Sequence, residues 1–248
     1  MTLRAITVTR YVTPLREGGS LPALVEADDD GLYVLKFRAA GHGVRALVAE
    51  LVSGEIGRAL GLPVPEIVLA NLDVELARTE PDPEIHALIH DSAGLNLALD
   101  FLPGSVNFDP LVHTLDPALA SRIVWFDAFV SNVDRTARNT NMLMWHRAPW
   151  LIDHGSSLYF HHADGWHDEP ARPGSPFPAI RDHVLLHLAS RIREADNGLA
   201  AVLTPAVIDG ILGLVPADWD VDVAAYRRYF LSRLASPRAF VEEAARAR

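Results

Sequence analysis

The residues best suited to chemistry lie in three separated stretches. The first is the polar run Ser131-Asn132-Val133-Asp134-Arg135-Thr136-Ala137-Arg138-Asn139-Thr140-Asn141. An aspartate followed five residues later by an asparagine, on a loop, can divide two tasks. Asp134 would accept a proton from an attacking hydroxyl, and the Asn139 amide oxygen would coordinate a hard cation such as Mg²⁺. A loop rich in Asx turns has the same composition. The second stretch is Leu151-Ile152-Asp153-His154-Gly155. An aspartate that closes a strand ahead of a glycine suits a carboxylate ligand for that cation, and a simple turn suits it too. The third is Tyr33-Val34-Leu35-Lys36-Phe37. Strand alternation sends Lys36 to the face opposite Leu35 and Phe37. Such a lysine is ordinarily a snorkelling or edge-strand residue, but paired with a glutamate of the next helix it would hold nucleotide phosphates. Glu50 and Glu55 are the two candidates, and the helical wheel places Glu55, not Glu50, within the apolar stripe.

These residues need elements to position them. The first forty residues read as strands, with short apolar runs at 23–26 and 32–37 joined by Asp28-Asp29-Asp30-Gly31, a hairpin signal. Glu17-Gly18-Gly19-Ser20 precedes this hairpin as a small flexible loop. Residues 44–60 carry helical spacing and stop at Gly61, Pro63 and Pro65. Residues 66–72 and 95–102 read as strands, and 78–94 carry no clear pattern. Asp116-Pro117 predicts a helix start, continuing to residue 131. A short hairpin is expected over 141–145 and 150–152, a long loop over 154–178, and helices from 179 to the end. The fold class is therefore α+β, with two lobes that together make one unit: a β-rich lobe over 1–103 and a mainly helical lobe over 104–248.

Composition narrows the function. The 248 residues include 22 Lys+Arg against 32 Asp+Glu, a net charge of −10. An acidic surface repels phosphate backbones and anionic lipid, so neither direct nucleic-acid binding nor a membrane partner is expected. Cysteine is absent, which removes disulfides, thiolate metal sites and thiol nucleophiles. No signal-peptide core and no membrane-spanning run is visible, so a cytoplasmic location is expected.

The order of the pieces is more informative than any one of them: glycine loop, strand lysine, helix glutamate, Asp-x4-Asn loop, short hairpin, Asp-x-Gly. In that order the chain resembles the HipA-like kinases, themselves distantly similar to phosphatidylinositol kinases and protein kinases. The family's catalytic loop is N-x-D-x-H-x-x-N. Asn132, Asp134 and Asn139 match it, and Thr136 stands where the family has histidine. Asp153-His154-Gly155 takes the place of Asp-Phe-Gly. The family also has a glutamate eleven residues before a Gly-Leu-x-Val-Pro segment. Here that segment is Gly61-Leu62-Pro63-Val64-Pro65, which selects Glu50 against the helical wheel, with Glu55 as the rival.

The resemblance implies a two-lobed protein-kinase-like fold and an ATP- and Mg²⁺-dependent transfer of a phosphoryl group to a hydroxyl, as in protein serine/threonine kinases. It implies that Gly18, Gly19, Ser20, Lys36 and Glu50 handle the phosphates. Asp100, Phe101 and Leu102 would face the adenine, Asn139 and Asp153 the metal, and Asp134 the acceptor. The acceptor would be a protein, and a protein regulator or antitoxin is a further implied partner. A nucleotide-binding pseudokinase acting as a regulatory or interaction module is an alternative, motivated by Thr136, and a small-molecule kinase is another. A zinc site from His154, His161, His162 and His167 is a reading from a different class, although the spacing matches no familiar zinc motif. Gly41-His42-Gly43 lacks the third glycine of a dinucleotide fingerprint.

Overall fold

The computed structural model describes residues 2–15, 21–169 and 172–248. Gly18, Gly19 and Ser20 lie outside the described residues. Five strands close into a barrel in the order β1 (Ala5–Pro14), β2 (Ala23–Ala27), β3 (Leu32–Lys36), β5 (Gly94–Asp100), β4 (Ile67–Leu72). All neighbours are antiparallel except β1 and β4, which run parallel. The alternation of apolar residues sets the inside. Ala23, Val25 and Ala27, then Tyr33, Leu35 and Phe37, then Val68, Ala70 and Leu72 are buried in one apolar cluster. Leu97 and Leu99, which pair with Lys36 and Val34, belong instead to a larger second cluster. The outer face of β3 and β5 therefore looks toward the rest of the molecule.

That second cluster is built on α1 (Val44–Ala59) and α3 (Pro117–Val130). Asp116 caps α3 by accepting from the Ala118 and Leu119 amides, with Pro117 as its first residue. Helix α2 (Pro83–Asp91) lies within the stretch that showed no clear pattern, and it starts on the same signal, Asp82-Pro83. A three-stranded sheet of β6 (Val106–Asn107), β7 (Met142–Trp145) and β8 (Ala148–Leu151) follows. Helices α4 (Ile192–Val202), α5 (Pro205–Leu212), α6 (Val223–Leu234) and α7 (Ala239–Ala247) complete the chain.

The expected loop over 154–178 is not structureless. Short 3-10 turns at Tyr159–His162, Trp166–Asp168 and Arg172–Gly174 occupy much of it. Leu158, Phe160, Trp166 and Phe177 anchor it in the larger cluster, and burial of such side chains holds the segment without regular ladders. Among the described residues no single helix is long and apolar enough to cross a membrane.

Candidate functional site

Strand β3 delivers Lys36 to the outer face of the barrel, as its pleat requires. There the ammonium lies 2.5 Å from Asp153 Oδ1 and 3.6 Å from Glu50 Oε2. The Lys36 side chain is 12% exposed and that of Glu50 only 2%. Glu55 instead pairs with Arg58, one turn further along α1. The helical wheel fails here because α1 has no solvent stripe in its middle. Leu47 through Gly54 are all buried, with Ile56 and Gly57, so periodicity cannot rank its faces.

Burial alone would push the Lys36 ammonium down, but the carboxylates of Glu50 and Asp153 outweigh it and hold the ammonium above its ordinary value. Burial would likewise raise the Glu50 carboxyl. The Lys36 charge and the contact with His154 instead hold it well below the usual carboxylate range. His154 Nδ1 is 3.4 Å from Glu50 Oε1. It occupies a fully buried place edge-on to Phe126. Asp153 adopts a left-handed backbone, φ 56°, an uncommon conformation for a residue with a side chain.

The polar run after α3 is ordered by a buried carboxylate that no local sequence motif marks. Asp127, on the last turn of α3, accepts from Asn132 Nδ2 (2.8 Å), Arg135 Nε (2.6 Å) and His183 Nε2 (2.9 Å). Arg135 is 1% exposed. Its other end binds the carbonyls of Asn141 and Ile152. One guanidinium thus ties α3 to the residue just before Asp153. Burial would raise the Asp127 carboxyl, but Arg135 and His183 hold it far below the usual range. Thr136 makes an isolated β-bridge with His183, so a histidine from a distant segment stands beside it. Asn132 Oδ1 accepts from the Asp134 amide, and Asp134 Oδ2 accepts from Asn139 Nδ2 (2.8 Å) and Asn141 Nδ2 (3.1 Å).

A cleft of about 1190 Å³ lies between the barrel and the helical half. Lys36, Asn139 and Asp153 line it, together with Asp100, Phe101 and Leu102. The turn that follows Leu102 is tied to β7 by Trp145, whose Nε1 donates to the Pro103 carbonyl at 2.9 Å. Asp153 and Asn139 supply a carboxylate and an amide oxygen, the hard donors a divalent cation such as Mg²⁺ takes. Asn139 spends its amide nitrogen on Asp134, which leaves Oδ1 as the ligating end.

The four histidines weighed as a zinc site do not converge. His154 faces Glu50, His161 and His162 contact each other, and His167 pairs with Asp168. Among the described residues no group of three or more His, Cys, Asp or Glu side chains is placed to hold a metal ion.

A sequence profile of the HipA-like kinase family matches residues 8–226. No curated protein sequence matches the chain. Among solved structures, the Helicobacter pylori proinflammatory kinase CtkA aligns with a TM-score of 0.58 at 14% identity, covering 95% of this chain and 94% of that one. The Golgi casein kinase with Mn/ADP bound aligns with a TM-score of 0.57 at 12% identity, covering 99% of this chain and 73% of that one. At these identities the likeness is one of fold.

Proposed function

We propose, from the fact that this chain belongs to the HipA-like kinase family, that it transfers the γ-phosphoryl of ATP to a hydroxyl with the help of Mg²⁺. The observation that carries the reading is the meeting of Lys36 and Asp153 in the wall of one large cleft, with Glu50, from a third distant segment, buried behind Lys36. Residues 1–103 and 104–248 act as the two lobes of a kinase-like unit, with the nucleotide between them. Lys36, oriented by Glu50, binds phosphate oxygens. Phe101 and Leu102 give the adenine an apolar wall, and Asp100 stands at its edge. Gly18, Gly19 and Ser20 offer backbone N–H groups to the phosphates.

Asn139 and Asp153 would hold Mg²⁺, which would offset the charge of the phosphate groups. Lys36 now occupies Asp153 Oδ1, while the buried Glu50 Oε2 has no hydrogen-bond partner. Glu50 thus keeps an oxygen 3.6 Å from the Lys36 ammonium with which to orient it. Asp134, held by the two amides, accepts the proton of the attacking hydroxyl. Positioning and electrostatics, rather than covalent chemistry of the protein, do most of the catalysis.

The acceptor is a protein serine or threonine, and a protein regulator of the antitoxin kind is the partner the family suggests. A cytoplasmic site of action accords with both. The test is incubation with γ-labelled ATP and Mg²⁺, alone and with cell lysate, beside Asp134→Ala. Label on protein that the variant loses supports the reading. Magnesium-dependent ATP binding without transfer would make the chain a nucleotide-binding module instead. Neither binding nor transfer would end the proposal.

A further inference from the structure

A transferring phosphoryl group spreads negative charge over three equatorial oxygens, and the site must answer it with donors placed before the reaction begins. Two cations line the cleft among the described residues, Lys36 and Arg138. Lys36 is already compensated by two carboxylates. Arg138 differs on every count. It is exposed to the cleft, and no described carboxylate lies within ion-pair distance of it. It sits one residue before Asn139, on a turn closed by the Thr136 amide donating to the Asn139 carbonyl at 2.9 Å. That turn hangs from Asp134, whose Oδ2 is spent on Asn139 and Asn141. Asp134 makes no ion pair with the Arg138 guanidinium, and its Oδ2 faces the two amides.

An exposed arginine is common on any protein surface. One in the wall of a cleft, next to Asn139 and with no carboxylate paired to it among the described residues, is a different case. Thr136 has no charge to contribute on the same loop. We infer that Arg138 is a catalytic residue, the cation that contacts the γ-phosphoryl group as it transfers. The inference rests on the phosphotransferase reading. In the step, the acceptor oxygen forms a bond to Pγ as the bond from Pγ to the bridging oxygen breaks. The electron pair of that bond leaves with ADP, and the hydroxyl proton passes to Asp134. Arg138 keeps its protons throughout and donates N–H groups to the equatorial oxygens, where its planar fork fits two at once.

The experiment compares the wild-type chain with Arg138→Ala and Arg138→Lys, and reads two quantities. The first is the melting temperature with ADP and Mg²⁺, then with aluminium fluoride added to imitate the phosphoryl group in flight. The second is the rate of ATP hydrolysis, in which water is the acceptor and no protein substrate is needed. The wild type is expected to gain a further rise in melting temperature with fluoride. Arg138→Ala should keep the ADP rise, lose the fluoride increment, and hydrolyse ATP about 100-fold more slowly. Arg138→Lys should recover part of both.

A full fluoride increment in Arg138→Ala, or hydrolysis within about threefold of wild type, overturns the inference. So does loss of the ADP rise itself, which would make Arg138 a ground-state ligand. A wild type that responds to ADP but not to fluoride overturns it as well. A wild type that responds to no nucleotide overturns the phosphotransferase reading instead, and the inference falls with it.

Discussion

Of the 22 basic residues, 21 are arginines and one, Lys36, is a lysine. Elsewhere the chain uses the planar guanidinium, which suits bidentate pairing such as that of Arg193 with Glu242 or Arg227 with Asp209. Position 36 needs something else: a compact charge on a slender stem, close to both Asp153 and Glu50 in a space with little solvent. Lys36→Arg is therefore not a conservative change. The wider planar guanidinium does not fit the small, nearly solvent-free space that the slender ammonium fills beside Glu50 without moving one of its two carboxylates. Phosphoryl transfer should fall by at least about 10-fold, measured as initial rate at saturating ATP. A rate equal to wild type would remove Lys36 from the mechanism. Uniqueness also makes Lys36 easy to mark. An amine-reactive nucleotide analogue should modify one internal peptide, the one containing Lys36, and MgATP should protect it. Peptide mass spectrometry checks both points, and modification that ATP leaves unchanged would count against nucleotide binding in the cleft.

At the scale of elements, the organising contact is buried, directly behind residues that line the cleft. Asp127 holds Arg135 from within, and Arg135 holds the backbone of Asn141 and Ile152. The loop carrying Asp134 and Asn139 is thereby locked to the strand end carrying Asp153. Removing one member of a buried pair leaves the other charged without a partner, which typically costs about 3–5 kcal/mol. Asp127→Ala should lose that much unfolding free energy in urea. Replacing both members by apolar residues of similar volume, as in Asp127→Leu with Arg135→Met, should cost less than Asp127→Ala alone. A single variant within about 1 kcal/mol of wild type would show that the pair is not what holds the loop.

This contact also marks the limit of what the amino-acid order reveals. Helix α3 is legible because Asp116-Pro117 and the apolar run after it agree. Helix α2 carries the same Asp-Pro start but buries only Ile85 and Ile89, too little apolar signal to stand out in a polar stretch. Strand alternation turns Lys36 outward, yet its bond to Asp153 spans 117 residues. Asp127 is one acidic letter in an apolar helix, and its partner His183 lies 56 residues away. No local period encodes such pairs. Glu50, which stands beside Lys36, is reached only through the register the family resemblance supplies, whereas the helical wheel points elsewhere because α1 is buried nearly all round.

For the whole molecule, the contact between the first half and the second is built partly from imidazoles, and this sets its response to acid. His161, fully buried, contacts Tyr226 of α6 through Nδ1 (2.9 Å) and His162 through Nε2 (3.1 Å). His42, from the loop ahead of α1, stacks on His162 at 4.3 Å, and Arg45 of α1 donates to the His161 carbonyl at 2.8 Å. Burial, then His162, Arg45 and His42, push His161 down from 6.5 to about 3. Burial also lowers His162. In the unfolded chain these rings take up protons as pH falls through about 6.5, while in the folded chain His161 stays neutral until about 3. The unfolded state then binds more protons, so stability must fall with pH across that window.

The carboxylates of Glu50 and Asp127 act in the same sense but later. Their lowered values mean that their contribution is fully present above their ordinary 4.5 and 3.8 and is lost only as pH drops below those points. Between pH 6.5 and 5 the loss should therefore come from the imidazoles. One proton corresponds to about 1.4 kcal/mol per pH unit, so about 2 kcal/mol is at stake from His161 over that interval. Urea unfolding at a series of pH values measures it, with His161→Gln as the comparison, since an amide can still meet Tyr226 but does not titrate. The variant should start less stable at pH 7 and show a flatter slope down to pH 5. A slope as steep as wild type would place the acid sensitivity elsewhere and leave the imidazole contact between the halves without a part in it.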